Sequence, residues 1–181
     1  MKKLAIALIC LMLAACILSG ALATGFDFKV PALGDVLVRH RVFMTLEEDA
    51  YAVFQIVYYI DSTHELTAIK VITRFSRNSG VKLSDISGLS PSEMDEYYPG
   101  YSDMSFASHE TYEVDGFVDM AVEYSDLNKT ENKQKLNQYG LLTMSDPSAM
   151  LSADDYIDYL MKSGGVEEVP LVNYGDLGFR F

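Results

Sequence analysis

Tryptophan is absent from this 181-residue chain, cysteine occurs twice and proline five times. Each scarcity removes something. Both cysteines, Cys10 and Cys16, fall within the first 16 residues. The polypeptide behind them is therefore free of thiols, and a disulfide frame, a thiolate nucleophile or a cysteine metal site is excluded there. Neither an H-E-x-x-H zinc-protease signature nor a G-x-S-x-G nucleophile elbow occurs. Positive charge is also scarce, with 14 Lys and Arg against 26 Asp and Glu. After residue 23 the balance is 12 basic to 26 acidic side chains, a formal charge of −14. Such a surface repels nucleic-acid phosphates and anionic lipid headgroups, so no nucleic-acid partner is expected. Histidine appears three times, as His40, His64 and His109. These are isolated on two strands and a turn, so no metal site is expected, and no cofactor motif is present.

The one long apolar run lies at the start. Lys2 and Lys3 precede Leu4–Leu18, and small residues fill Ser19–Thr24. Charge, apolar run and small-residue end form an export signal. Its end has three readings. Ala21-Leu22-Ala23 is an A-x-A site, which places cleavage between Ala23 and Thr24. Leu13-Ala14-Ala15-Cys16 resembles a bacterial lipobox, in which Cys16 is lipidated and becomes the first residue; Ile17 and Leu18 then continue the apolar run where lipoproteins usually turn polar. Leu4–Ala23 also has about the ~20 residues of an uncleaved bilayer anchor. The expected organisation is an export signal over 1–23, or 1–15 with lipidated Cys16, followed by one domain over 24–181. That domain works outside the cytoplasm, either tethered to the membrane through the Cys16 lipid or secreted or periplasmic after cleavage at Ala23.

Behind the signal, alternation of apolar and polar residues marks strands. Val36, Val38, His40, Val42 and Met44 share one side of Asp35–Leu46, with Arg39 and Arg41 on the other. In Tyr51–Ser76 two alternating runs flank the polar link Asp61–Glu65, a half-buried hairpin. Ala52, Phe54, Ile56, Tyr58 and Ile60 line one side of the first arm; Ile69, Val71, Thr73 and Phe75 line one side of the second. Arg77–Gly88 reads as loop. Ser90, Pro91 and Glu93 start a short helix with a capping box, and Pro99-Gly100 ends it. Met104–Val114 and Phe117–Leu127 form a second hairpin around Asp115-Gly116, a turn whose two positions tolerate positive φ. Thr130–Tyr139 is a polar surface helix. Ser152–Ser163 begins with Ser152 as N-cap and Asp155 three residues on; Tyr156, Ile157, Leu160 and Met161 give it an apolar face to lay on a sheet. The tail Val169–Phe181 has room for one late strand. The fold class is α+β: an antiparallel sheet of about five strands with two or three helices packed on one face.

Four constellations invite a chemical reading. Ser79-Gly80-Val81-Lys82 matches S-x-x-K, but its companion motifs S-D-N and K-T-G are missing, so it reads as chance. Asp126-x-Asn128-x-Thr130 lacks the glycine and the bidentate glutamate of a calcium loop and reads as turn and N-cap chemistry. Asp154-Asp155 and Glu167-Glu168 are adjacent carboxylates of a kind expected in so acidic a chain. Tyr97, Tyr98 and Tyr101 form either a stacking platform or a tyrosine-rich turn packed on the sheet. A fifth pattern is less bland. In a three-strand meander Arg39, Arg41, Lys70 and Arg74 would share one open face with Tyr51, Gln55 and Tyr59, a candidate site for an anionic group or an acidic partner segment. The alternative for the same four cations is pairing with the protein's own carboxylates.

The hairpin arm ending Val122-Glu123-Tyr124-Ser125, the Gly140–Ser152 link and the helix running into Gly165-Val166-Glu167-Glu168-Val169 resemble small YehR-type bacterial lipoproteins, as does the order of capped helix and Asp115-Gly116 hairpin before them. The resemblance covers about residues 66–169; the first strand with Arg39 and Arg41 and the tail ending Phe179-Arg180-Phe181 depart from it. It implies an envelope lipoprotein with an α+β domain and Cys16 as the lipidated residue. That family has no established activity, so the resemblance implies no catalytic residues.

These readings converge on an exported bacterial envelope protein that is a non-enzymatic binding or interaction module with an envelope partner or ligand. Membrane contact would run only through the N-terminal segment or its lipid. A hydrolase of an envelope polymer using carboxylates is the alternative. A small outer-membrane barrel, prompted by the terminal phenylalanine, is more remote, since it needs at least eight strands.

Overall fold

Three ten-residue runs of alternating, β-branched-rich sequence form the centre of the sheet: β2 (Leu37–Leu46), β3 (Tyr51–Ile60) and β4 (Leu66–Phe75). The computed structural model describes residues 28–29, 37–46, 51–142, 152–162 and 165–170. The export segment, with Cys16, Ala23 and Thr24, lies outside the described residues, as do residues 171–181, where a late strand is expected. A short β1 (Phe28–Lys29) precedes the central strands. The second hairpin is β5 (Ala107–Val114) and β6 (Phe117–Tyr124), and β7 is Val166–Val169.

All pairings are antiparallel. The order is β1-β2-β3-β4-β6-β5, with β7 also on β2. The expected α+β class therefore holds. The two strands beyond the expected five are short, and both lie on the outer edge of β2: β1 opposite Leu37 and Val38, β7 opposite Val42–Thr45. Helices are α1 (Leu83–Ile86), α2 (Pro91–Met94), α3 (Thr130–Gln138) and α4 (Ala153–Lys162), with a 3-10 turn at Tyr101–Asp103. The segment expected to be all loop, Arg77–Gly88, holds α1, whose Asp85 accepts a hydrogen bond from the Lys82 N–H.

Local signals explain the element boundaries. Asp115 (φ 49°) and Gly116 (φ 77°) take the left-handed pair of angles that a two-residue hairpin needs, and Val114 pairs with Phe117 across it. Ser90 and Glu93 close the capping box of α2: the Ser90 N–H donates to Glu93 Oε2 at 2.7 Å. At α4 the Asp155 N–H donates to Ser152 Oγ at 3.2 Å, which satisfies one of the helix's free donors. α3 ends in a Schellman motif. Leu141 N–H bonds to Leu136 O and Gly140 N–H to Asn137 O, both at 3.0 Å, with Gly140 at φ 73°.

Register decides which side chains share a face. Gln55 opposes Phe43 and Val71, Val57 opposes Arg41 and Ile69, and Val122 opposes Val71. Phe43, Val57, Ile69 and Val122 therefore lie on one face. There they join Ile86, Met94, Leu136, Tyr156, Ile157 and Leu160 in one core, so all four helices contribute to the same face. Val38, Val42, Phe54, Ile56 and Ile72 occupy the other face and are also buried. The central hairpin is thus apolar on both sides rather than half-buried. The described residues from Phe28 to Val169 belong to one compact unit.

Candidate functional site

The expected basic face does not form. Arg39, Arg41 and Tyr59 stand on the face that carries the helices, because Arg41 lies opposite Val57 and Arg39 opposite Tyr59. Lys70 and Arg74 stand on the other face, opposite Ile56 and Ala52. The five-residue link between β3 and β4, with a bulge at Tyr58/Tyr59, sets this register. A shift of one residue would have put all four cations together. Each cation instead meets a carboxylate. Arg39 pairs with Asp61, and Arg41 grips Glu168 through Nε and Nη2, each at 2.7 Å. Lys70 Nζ donates to Glu110 at 2.8 Å, and Arg74 holds Asp119 through two bonds of 2.8 and 2.6 Å. Of the two readings of these cations, the structure shows the pairing with the protein's own carboxylates.

Other expectations resolve in the same structural direction. The Asp155 carboxylate accepts from Ser152 Oγ at 2.7 Å at the head of α4, Asp154 bonds His64 Nδ1 at 2.8 Å, and Glu168 takes Arg41, so three of the four adjacent carboxylates have partners within the fold. Ser79 Oγ donates to Ser76 O and accepts from the Val81 N–H, as a turn serine does. The three histidines are dispersed. His40 is buried on β2, His64 pairs with Asp154, and His109 Nδ1 lies 2.8 Å from the Tyr101 hydroxyl. Burial lowers the pKa of His40. Among the described residues no group of three or more His, Cys, Asp and Glu is placed to hold a metal ion. Tyr97 is exposed while Tyr98 and Tyr101 are buried, so the tyrosine turn is not a stacking platform.

Tyr98 leads to a different place. Between the helix-bearing face of the sheet and α3 and α4 lies a cavity of about 310 Å³, at the small end of the ~300–1,000 Å³ usual for ligand sites. Gln55, Ile69, Val71 and Tyr124 form its sheet wall. Leu136 and the Schellman turn Gly140–Leu142 close one side; Tyr156, Tyr159 and Leu160 of α4, with Val166 of β7, close the other. The position of α4 is fixed at its start, where the Ala153 N–H bonds to His64 O at 2.7 Å and Ser152 bridges to Glu65. The Tyr156 and Tyr159 rings stack at 24° with centroids 6.5 Å apart.

Four phenols thus line one small space, and their hydrogen bonds are unequal. Tyr156 donates to Gln55 Oε1 at 2.8 Å, and the Tyr98 hydroxyl lies 3.0 Å from Thr73 Oγ1. The Tyr124 hydroxyl is buried and has no partner among the described residues. A buried hydroxyl without a partner costs roughly 1–3 kcal/mol and is uncommon in a folded protein. Burial pushes the pKa of Tyr124 and Tyr156 well above the usual phenol range, and that of Tyr98 upward, partly offset by its bond to Thr73. All three are neutral donors at physiological pH. Among the described residues that line the cavity there is no carboxylate, lysine, arginine or histidine.

Sequence reading found the elements but not this assembly. Tyr156 and Leu160 stand in the apolar stripe expected of Ser152–Ser163, and Tyr124 lies in the second arm of the Asp115-Gly116 hairpin. The available signal was that Tyr156 fell on a face expected to be buried, where its hydroxyl must find an acceptor or leave a gap.

Comparison with solved structures finds the fold in the NMR structure of the E. coli YehR protein: 12% identity, a TM-score of 0.53, and a match covering 78% of this chain and 97% of that one. An NMR structure of a protein from Streptococcus pneumoniae TIGR4 matches at 13% identity over 83% of this chain and 93% of that one, with a TM-score of 0.42. No protein-family model matches, and no curated protein does. The chain resembles YehR over most of its length, and at this identity the likeness shows the fold alone.

Proposed function

We propose that this chain is an exported bacterial envelope protein that acts as a non-enzymatic binding module and takes a small ligand into the tyrosine-lined cavity. The export reading rests on the Lys2-Lys3 charge, the Leu4–Leu18 apolar run and the small residues after it. The binding reading rests on one observation above the others: a cavity of about 310 Å³ between the sheet and two helices is lined by four tyrosines, Gln55 and aliphatic side chains. Apolar walls with a few convergent polar groups are the usual makeup of a ligand site. Among the described residues the lining offers donors and ring surfaces, but no group poised to take or give a proton near neutral pH. That favours retention of a molecule over its chemical change.

Two measurements test the two halves. Mass spectrometry of the mature N-terminus should find either lipidated Cys16 or free Thr24; an intact leader on cytosolic protein refutes export. Fluorescence titration with N-phenyl-1-naphthylamine, an uncharged aromatic dye, should show one saturable site that is lost when Val166→Phe or Val71→Phe fills the cavity. Equal dye binding by wild type and both folded variants refutes the cavity as the site.

A further inference from the structure

The two borders of the sheet are finished differently. On one, β1 and β7 cover the outer side of β2. The other is β5, which among the described strands pairs only with β6. We propose that β5 is a docking edge whose occupant is β5 of a second copy of this chain, paired antiparallel about a two-fold axis through Thr111.

The hairpin turn determines which groups of β5 are available. Val114 and Phe117 flank a two-residue turn and so exchange hydrogen bonds, and the exchange repeats at every second residue, through Tyr112, Glu110 and Ser108. The N–H and C=O groups of His109, Thr111 and Glu113 therefore point away from β6, and among the described residues no backbone group bonds to them. Ala107 ends the open stretch, because its N–H is taken by Met104 O at 3.0 Å. Natural edges are usually blunted by lysine, proline, a bulge or brevity. β5 has none of these: it runs Ala-Ser-His-Glu-Thr-Tyr-Glu-Val in unbroken register with β6.

Complementarity of the strand with itself selects the occupant. Outward groups must meet outward groups, so a second β5 can shift only in steps of two residues. With Glu110 on the axis, two carboxylates would face each other, which is destabilising. With Tyr112 on the axis, His109 would fall opposite Asp115, whose φ of 49° takes it out of the strand. With Thr111 on the axis, His109 of each copy faces Glu113 of the other, Glu110 faces Tyr112, and Ser108 faces Val114. The Tyr101 hydroxyl lies 2.8 Å from His109 Nδ1, which leaves Nε2 to meet a carboxylate. Glu113 is exposed and Glu110 already holds Lys70, so Glu113 is the carboxylate of β5 open to a second chain. The three opposed pairs, with two bonds each, satisfy every outward group of both strands. Because the axis stands perpendicular to the sheet, the helices of both copies lie on the same side of one continuous sheet.

Sedimentation velocity uses the chain purified in the form the cell retains, with a nonionic detergent if that form is lipidated. It should show a monomer–dimer equilibrium between about 1 µM and about 1 mM, since one strand per copy makes a small interface. Thr111→Pro removes an outward N–H and leaves the β5–β6 bonds in place, a position where an edge strand accepts proline. Its monomer should be folded by circular dichroism, and its dimer should be weaker by about 100-fold or more. Glu113→Lys, on an exposed side chain, should weaken the dimer about three- to thirtyfold, because the cross-strand pair occurs twice. Oxidative crosslinking reads the register. Thr111→Cys should give a disulfide-linked dimer, since directly opposed residues have Cα atoms about 5.5 Å apart. Ser108→Cys should not, because its counterpart lies opposite Val114, about 20 Å along the strand. Wild type, which has no thiol behind Cys16, is the control. A chain that stays monomeric across the concentration range overturns the proposal, as does a dimer that neither Thr111→Pro nor Glu113→Lys weakens. Crosslinking of Ser108→Cys as fast as Thr111→Cys overturns the register, and a species larger than a dimer overturns the two-fold pairing. If Thr111→Pro fails to fold, Glu113→Lys and the crosslinks decide.

Discussion

Arg74 and Asp119 face each other across β4 and β6, and separating them should cost more stability than any single substitution on the surface. Asp119 is fully buried, and its two oxygens sit 2.8 and 2.6 Å from Arg74 Nε and Nη2. Arg74 is 11% exposed in its side chain, and its guanidinium lies 5.4 Å from the Phe54 ring centroid and 5.5 Å from that of Phe117. With Asp119→Leu those ring faces remain, worth about 0.5–2 kcal/mol to a cation. They cannot replace two charge-assisted hydrogen bonds, so the substitution should destabilise by about 3–5 kcal/mol. In a domain of this size that lowers the melting temperature by about 10 °C. Arg74→Met should cost a similar amount, because it strands a buried carboxylate. The double variant Arg74→Met/Asp119→Leu removes both charges and should return to within about 2 kcal/mol of wild type. Urea denaturation of the four proteins gives the coupling energy from the cycle. If each single variant loses less than about 1 kcal/mol and the losses simply add, the pair contributes no more than an exposed ion pair does, and the assignment of these charges to structure is wrong.

Further expectations follow from the cavity and the turns. Tyr124→Phe, with no ligand added, should raise stability by about 1 kcal/mol in the same assay, since it deletes a buried donor with no partner; a loss of 1 kcal/mol or more would mean the hydroxyl is bonded. Gly100 (φ 76°) packs on Tyr139, and an added Cβ would come within 2.4 Å of the ring, whereas Gly88 (φ 78°) faces open space. Gly88→Ala should cost about 1 kcal/mol of backbone strain, and Gly100→Ala about 3 kcal/mol once the clash is added; equal costs would refute the contact. Among the twelve tyrosines, burial is the main cause that raises the pKa of Tyr59, Tyr98, Tyr101, Tyr124 and Tyr156. Their stabilisation is complete below the unfolded phenol pKa of about 10 and is lost as pH climbs through the higher folded values. Absorbance at 295 nm should show these phenols titrating late and together with unfolding, and a single transition near pH 10 in folded protein would contradict the burial.

Where the sequence carried enough information, and where it did not, follows from which interactions are local. Asp115-Gly116, the Ser90–Glu93 box and Ser152 at the head of α4 act within four residues, and each lies where its chemistry predicts. The alternation of β2, β3 and β4 marks their extent for the same reason. Facing was not legible. β3 is apolar on both sides, so periodicity could not tell which of its sides matched the Ile69–Phe75 side of β4, and the four cations were joined on one face when they belong to two. β7 was hidden because Val166-Glu167-Glu168-Val169 has no apolar alternation of its own; it is held by pairing with β2 and by Arg41 on Glu168. The cavity is less local still. It exists only where β3, β4, β6 and β7, the end of α3 and the face of α4 approach one another, and its tyrosines come from positions 58 residues apart between Tyr98 and Tyr156.

The outer border of β2 is shared by strands from opposite ends of the domain, β1 just before it and β7 some 120 residues after it. A chain delivered with its N-terminus leading presents β2 early and finishes its border last. Until Val166–Val169 arrives, the amides and carbonyls of Val42–Thr45 stay open to any passing strand. The closing step joins the most distant partners in the sheet, and such closures are slow. The protein is therefore most exposed to cross-pairing with its neighbours during the interval between the delivery of its second strand and its seventh.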